Sequence, residues 1–212
     1  RYIIGSFHTM WRRYQKHRRE KTLVLIDECH HFNYDAPTNC KIASIFERAI
    51  GFSATPWSAG CLDFFENRSH IYPLSYAIRE QVNCTYSIQD WLEPVPGKYQ
   101  IVYCSSYEEV RRMCQRIAPS DFAVYQVADA RRTISRFRFG LLGTIVVNRM
   151  LTEGFDQPQI KRVWIARDTM SEIAALQMAG RAFRPYKGQN AIVYTQSEQT
   201  RDALLSALDR AR

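Results

Sequence analysis

The sequence predicts a parallel α/β fold divided into two lobes, and three observations carry that prediction. The apolar run Thr22-Leu23-Val24-Leu25-Ile26 ends in adjacent carboxylates, Asp27 and Glu28. A buried parallel strand whose carboxyl tip faces a ligand has this form. A second apolar run from Ala49 to Phe52 follows a helical stretch near 38–48, completing a β-α-β unit. Further on, apolar runs at 100–104, 123–127, 144–148, 161–166 and 191–194 alternate with helical patterns, as in a second parallel sheet.

Taken in order, the first lobe has strands at about 22–26 and 49–53 with the 38–48 helix between them, and residues 62–88 are mixed in pattern. The stretch Asp90-Trp91-Leu92-Glu93-Pro94-Val95-Pro96-Gly97-Lys98 holds two prolines and a glycine and reads as a linker. The expected domains are therefore residues 1–93 and 94–212. In the second, Ser106-Tyr107-Glu108-Glu109 is a capping box opening a helix over 107–117. Gly140 stops a helix over 131–139. Ser171 caps a helix that carries Gln177, Gly180, Arg181 and Arg184 at offsets of 0, 3, 4 and 7, so the four share one face. Pro185 disfavours helix at Arg184, which puts that guanidinium at an exposed helix end.

With 46% hydrophobic residues in 212, the chain has enough apolar material for packed cores. No apolar stretch approaches the roughly 18 residues that span a bilayer, so no membrane partner is expected. The six cysteines, at 29, 40, 61, 84, 104 and 114, form no C-x-x-C pair. They predict free thiols in a reducing compartment, cytoplasmic or nucleoid-associated. The net charge of +8 is uneven: residues 1–97 hold 11 Lys/Arg against 10 Asp/Glu, and residues 98–212 hold 18 against 11. A second half at +7 suits a surface that meets phosphate backbone, although a solvated basic face has the same composition.

Four further segments follow Asp27-Glu28-Cys29-His30 in the chain. They are Ser53-Ala54-Thr55-Pro56, then Ile101 to Ser106, then Thr144-Ile145-Val146-Val147-Asn148 with Glu153-Gly154-Phe155-Asp156, and finally Gln177-Met178-Ala179-Gly180-Arg181-Ala182-Phe183-Arg184. In this order and at these separations they resemble motifs II to VI of superfamily 2 helicases and translocases. The nearest group in wording is the DEAD/DEAH-like one that includes type III restriction enzyme res subunits and phage repair helicases. The resemblance implies two RecA-like parallel-sheet lobes, the first incomplete at its N-terminal side. Such enzymes carry a phosphate-cradling G-x-x-x-x-G-K-[ST] loop, and no such string occurs here. The opening Arg1 to Met10 looks like the segment ahead of motif II. The 212 residues are thus expected to be the back portion of a motor, with the missing N-terminal part of lobe 1 supplied in cis or in trans.

What the resemblance implies for chemistry is ATP hydrolysis with Mg²⁺, coupled to movement along nucleic acid, DNA more than RNA. Asp27 and Glu28 are the metal site: Asp27 would hold Mg²⁺ and Glu28 would polarise the attacking water. His30 would link that site to motif III, where Ser53 and Thr55 couple hydrolysis to strand movement. Arg181 and Arg184 would act as arginine fingers across an interlobe cleft, beside Gln177 and Gly180. Asp156 would contact the nucleotide, with Gly154 permitting a tight turn. Ser105, Ser106, Thr144, Arg149 and Thr152 are candidate nucleic-acid contacts. Tyr103, Phe183 and Trp57 are either base-stacking or core residues. Phe183 stands where the family often has glycine. Other readings remain open. Glu28, Cys29, His30 and His31 are potential zinc ligands, though neighbours at a strand end diverge. Both arginines could instead form carboxylate pairs within their own lobe. Without the phosphate loop, the whole chain could be a non-catalytic nucleic-acid-binding scaffold or one half of a split helicase.

Overall fold

The computed structural model describes residues 23–31, 48–55, 57, 72–95, 97–117, 130–148, 151–152 and 155–211. The expected helix near 38–48, apart from Arg48, the strand at 123–127, and the site residues Arg149 and Gly154 lie outside these. The chain divides into two compact units, residues 1–71 and 72–212.

In the first unit, β1 (Leu23–Ile26) pairs in parallel with β2 (Arg48–Gly51), with Leu25 opposite Ile50. The parallel pairing matches expectation, but full burial of β1 does not. Leu23, Leu25, Ile50 and Phe52 share one face of this two-stranded sheet, and all four are exposed. On the opposite face Ile26 is buried.

The second unit is a five-stranded sheet of order β3-β7-β6-β4-β5, every described pairing parallel. Its strands are β3 (Tyr86–Asp90), β4 (Gln100–Cys104), β5 (Thr144–Val147), β6 (Arg162–Ala166) and β7 (Ala191–Thr195). Helices α1 (Leu74–Arg79), α2 (Tyr107–Ile117), α3 (Ala130–Arg138), α4 (Glu172–Gly180) and α5 (Glu198–Arg210) accompany them. Alternate residues of each central strand go to opposite cores. Ile101, Tyr103, Val163, Ile165 and Val193 pack with Ala175 and Met178 of α4 and Leu204 of α5. Val102, Cys104, Val146, Trp164 and Tyr194 pack with Val110, Met113 and Cys114 of α2. All five residues of β4 are buried, as an apolar strand covered on both faces must be.

The division between units is a correction to the 93/94 boundary. Tyr86–Asp90 joins the second sheet as an edge strand against β7, and the Leu74 N–H donates to Ala211 O at 2.6 Å. The linker segment is itself docked: Trp164 Nε1 donates to Leu92 O at 2.9 Å, and Glu93 lies 3.6 Å from Arg116. Gly143 matters to this docking, because a Cβ there would stand 2.1 Å from the Gly97 carbonyl oxygen.

The local signals read from sequence have clear structural counterparts. Ser106 Oγ accepts from the Glu109 N–H at 3.2 Å, while the Glu109 carboxylate reaches back one residue further than a capping box requires, to the Ser105 N–H at 2.7 Å. Gly140, at φ +70°, ends α3. Its N–H bonds Phe137 O and that of Leu141 bonds Arg136 O, the paired Schellman closure. Ser171 Oγ accepts from Ala174 N–H at 3.2 Å at the start of α4.

Candidate functional site

The chemistry-bearing residues form one cluster in each unit. In the first, β1 runs out at Ile26 into a turn containing Asp27 and Glu28, followed by a 3-10 turn over Cys29–His31. The Glu28 N–H bonds Asp27 Oδ1 at 3.0 Å, and Glu28 has φ +50°, a left-handed conformation that non-glycine residues adopt at some strain. The turn is tied to β2 from both sides, since Phe52 N–H bonds Ile26 O at 2.8 Å and Cys29 N–H bonds Phe52 O at 2.9 Å. That stitching delivers Ser53 beneath the turn.

His30, with its side chain 3% exposed, has Nδ1 2.8 Å from Ser53 Oγ and 3.4 Å from Glu28 Oε2. Ser53 Oγ also accepts from the Thr55 N–H at 3.0 Å and lies 3.5 Å from Thr55 Oγ1. His30, Ser53 and Thr55 therefore form one hydrogen-bonded chain, with the Glu28 carboxylate in contact with His30 at its head. Asp27 is exposed. Its oxygens are hard donors, one of them turned to a backbone N–H, and Mg²⁺ is held by one or two carboxylates plus phosphate oxygens and water. The residues present fit that ion. Among the described residues, no group of three or more His, Cys, Asp or Glu is arranged to hold a metal.

In the second unit, α4 delivers Gln177, and Arg181 is its C-cap. The sequence placed Gln177, Gly180, Arg181 and Arg184 on one helix face; the structure ends the helix at Gly180 and carries the chain on by tighter bonds. Arg181, Ala182 and Phe183 N–H groups donate to the oxygens of Met178, Ala179 and Gly180. Arg184 stands beyond this turn. Arg181 donates through Nη1 to Phe155 O at 2.8 Å and through Nε to Gln177 O at 3.4 Å. Arg184 Nη1 pairs with the Asp156 carboxylate. Both arginines are thus held by their own unit. The Arg184 pair is open to solvent, the Asp156 side chain being 73% exposed, and such pairs contribute about 0–1 kcal/mol. A Cβ on Gly180 would meet nothing within 4 Å.

Ser105 and Ser106 are exposed at the carboxyl end of β4, and Thr152 is half-buried in a turn after Leu151, whose carbonyl accepts from Tyr103 Oη at 3.0 Å. Thr144 leaves the set of nucleic-acid contacts. It begins β5, at the opposite edge of the sheet from Ser105, is buried, and donates to Gln100 Oε1 at 3.2 Å. Tyr103 and Phe183 are core residues, not base-stacking ones: Tyr103 is fully buried, and Phe183 stacks on Tyr86 with centroids 4.7 Å apart. Burial pushes the Tyr103 hydroxyl pKa up, partly opposed by the Arg181 charge, and burial, aided by Glu109, pushes the Cys104 thiol up.

Two residues were missed. Arg167 follows β6 directly and has a buried Nε with no hydrogen-bond partner. It stands where the strand order turns outward on either side of β4 and β6, the point at which open α/β sheets gather ligands. A basic residue one step past an apolar run was the available signal. The other is Lys161, a polar flank of β6 with nothing in its local pattern to mark it.

The family of type III restriction enzyme res subunits matches residues 1–58. No curated protein matches the chain significantly. Among solved structures, a fragment of an HsdR subunit of a type I restriction enzyme from Vibrio vulnificus superposes with a TM-score of 0.70 at 18% identity, covering 86% of this chain and 45% of that one. S. cerevisiae Dbp5 bound to RNA and ADP BeF3 gives 0.62 at 12% identity, covering 96% and 60%. The type ISP restriction-modification enzyme LlaBIII bound to DNA gives 0.67 at 10% identity, covering 97% and 21%. The chain therefore spans less than two thirds of each of these proteins. In fold along most of its length the chain is similar to these proteins, whose RecA-like parallel α/β architecture it shares, and in sequence over residues 1–58 it is similar to type III restriction enzyme res subunits.

Proposed function

We propose that the chain is part of an ATP-driven motor acting on nucleic acid, DNA more than RNA, in which ATP hydrolysis drives strand movement. The observation that carries this reading is the chain of contacts from the Asp27-Glu28 turn through His30 to Ser53 and Thr55. A turn that only ended a strand would not need an exposed acid pair, a strained Glu28 and a buried histidine joined to a second loop. Magnesium, when bound, supplies charge neutralisation on the transferring phosphate. Asp27 has a carboxylate oxygen to hold it. Glu28, anchored against His30, has a carboxylate to orient and deprotonate water, and His30 passes any shift of Glu28 to the Ser53 segment. By the same resemblance, Arg181 and Arg184 of the second unit would meet a transferring phosphate with positive charge, as fingers do. Because the Arg184–Asp156 pair is solvent-exposed, exchanging that partner for a phosphate is energetically undemanding.

No phosphate-cradling string occurs in these 212 residues, so the complete motor draws its cradle from further polypeptide, in cis or in trans. The test is Glu28→Gln in the complete protein. Glutamine preserves shape and meets the same backbone demand at φ +50°, so ATP should still bind while Mg²⁺-dependent turnover falls by roughly 10²-fold or more. Equal loss of binding and turnover would show that Glu28 only holds the turn together.

A further inference from the structure

The turn bearing Arg184 lies beyond the end of α4, where backbone carbonyls have no helical partner. Its three consecutive carbonyls are nevertheless all taken. Phe183 O accepts from the Cys84 N–H at 2.7 Å. Ala182 O accepts from Lys161 Nζ at 3.3 Å and from Cys84 Sγ at 3.4 Å. Arg184 O accepts from Lys161 Nζ as well. Lys161 is only 8% exposed, and its third N–H points to Cys84 Sγ at 3.5 Å, so the amino group spends every donor on this junction.

The backbone of Lys161 is fixed in turn. It precedes β6 immediately, and its carbonyl accepts from the Ile192 N–H at 2.8 Å. Because α4 runs back along β6, the end of the helix returns to the strand's beginning. The side chain of Lys161 bridges the two. A buried lysine is an unusual choice for filling space, since leucine or methionine would do so without a polar group to satisfy. Its use here has one evident outcome, which is to fix the backbone of residues 182–184 and hence the origin of the Arg184 side chain.

We propose that Lys161 is a positioning residue for Arg184, locking the finger-bearing turn through its carbonyls. The role in turnover rests on the function proposed above; the role in holding the turn does not. Two variants of the complete protein separate these. Lys161→Met keeps the aliphatic stem and removes the donors, and Lys161→Arg restores donors on a longer stem. In Lys161→Met, hydrogen exchange at the Cys84 amide, which is bonded to Phe183 O, should quicken by about tenfold, the loss expected for a charge-assisted hydrogen bond, while the Val102 amide in β4 stays unchanged. Nucleic-acid-stimulated ATP turnover should show a kcat lowered by about tenfold with KM for ATP within about twofold, and Lys161→Arg should recover most of it. In an Arg184→Ala background, Lys161→Met should lower kcat no further.

Unchanged exchange at Cys84 would overturn the locking role, with or without nucleotide. Quickened exchange combined with additive losses in the double variant would overturn the link to Arg184. If Arg184→Ala leaves turnover intact, the functional reading fails, and the exchange measurement alone then decides the locking role. Should Lys161→Met fail to fold, Cys84→Ala, which removes only the thiol support, should quicken exchange at position 84 in the same direction, and no change there would count against the proposal.

Discussion

The Phe183 ring, beside the proposed finger Arg184, is built into the core of the second unit. It is 4% exposed, packs in the cluster that contains Met178 and Ala179, and stacks on Tyr86 at 26° between planes. Phe183→Ala removes a buried ring whose deletion costs about 3–5 kcal/mol in cores generally, including an aromatic pair of about 0.5–1.5 kcal/mol. Tyr86 lies on an edge strand and is only half-buried, so the site relaxes somewhat, and about 3–4 kcal/mol is expected. At roughly 3 °C per kcal/mol for a unit of this size, the second unit should melt about 10 °C lower. Urea unfolding followed through hydrogen exchange at β6 and β7 amides isolates that unit from the first. An unchanged slope with denaturant would show that stability alone has moved. Phe183→Leu should recover more than half of the loss. A deficit under about 1 kcal/mol for Phe183→Ala would refute the core placement and reopen the ring as a ligand contact.

Two other outcomes are expected. The raised pKa values of Tyr103 and Cys104 mean that the folded state retains protons which the unfolded chain releases, so their contribution is complete below the ordinary values of 10.0 and 9.0 and declines as pH rises above them. Tm should therefore fall across alkaline pH, and Tyr103→Phe should flatten the upper part of that fall. Single-stranded nucleic acid should bind residues 1–212 without base preference, with a log–log salt slope of about −0.7 per phosphate contact, and reversal at Arg149 should weaken it more than reversal at the exposed Arg131 and Arg132 of α3. Equal loss from both sets would indicate a general basic face.

Much of the fold is written in continuous apolar runs. β4, β5, β6 and β7 are covered on both faces, and such strands leave an unbroken apolar signature at the expected positions. β3 escapes that test. As an edge strand of sequence Tyr-Ser-Ile-Gln-Asp it alternates, with Tyr86 and Ile88 packed and Ser87 and Gln89 exposed, and the following prolines draw the boundary to the wrong place. Capping residues at Ser106 and Ser171 and the stop at Gly140 were legible because each acts on its own backbone. The candidate site divides along the same line. Asp27, Glu28, His30, Ser53 and Thr55 are recognisable as motifs, and polar contacts join them within one unit. Thr144 was misread because a threonine opening a strand looks the same whether its hydroxyl meets solvent or Gln100. Lys161 was invisible because its partners are carbonyls more than twenty residues away, and no side-chain pattern encodes those.

The central claim, that the chain is part of an ATP-driven motor in which Arg184 serves as a finger, is tested most directly by nucleic-acid-stimulated ATP turnover of Arg184→Ala in the complete protein, with thermal stability measured alongside. Loss of an exposed ion pair with Asp156 should lower stability by about 1 kcal/mol at most. Loss of a finger should lower turnover by roughly 10³-fold, equivalent to about 4 kcal/mol of transition-state stabilisation. The account predicts that separation: a folded, nearly wild-type protein that hydrolyses ATP about a thousandfold more slowly. Turnover per folded molecule unchanged, with stability reduced, would contradict it and leave Arg184 as a structural partner of Asp156.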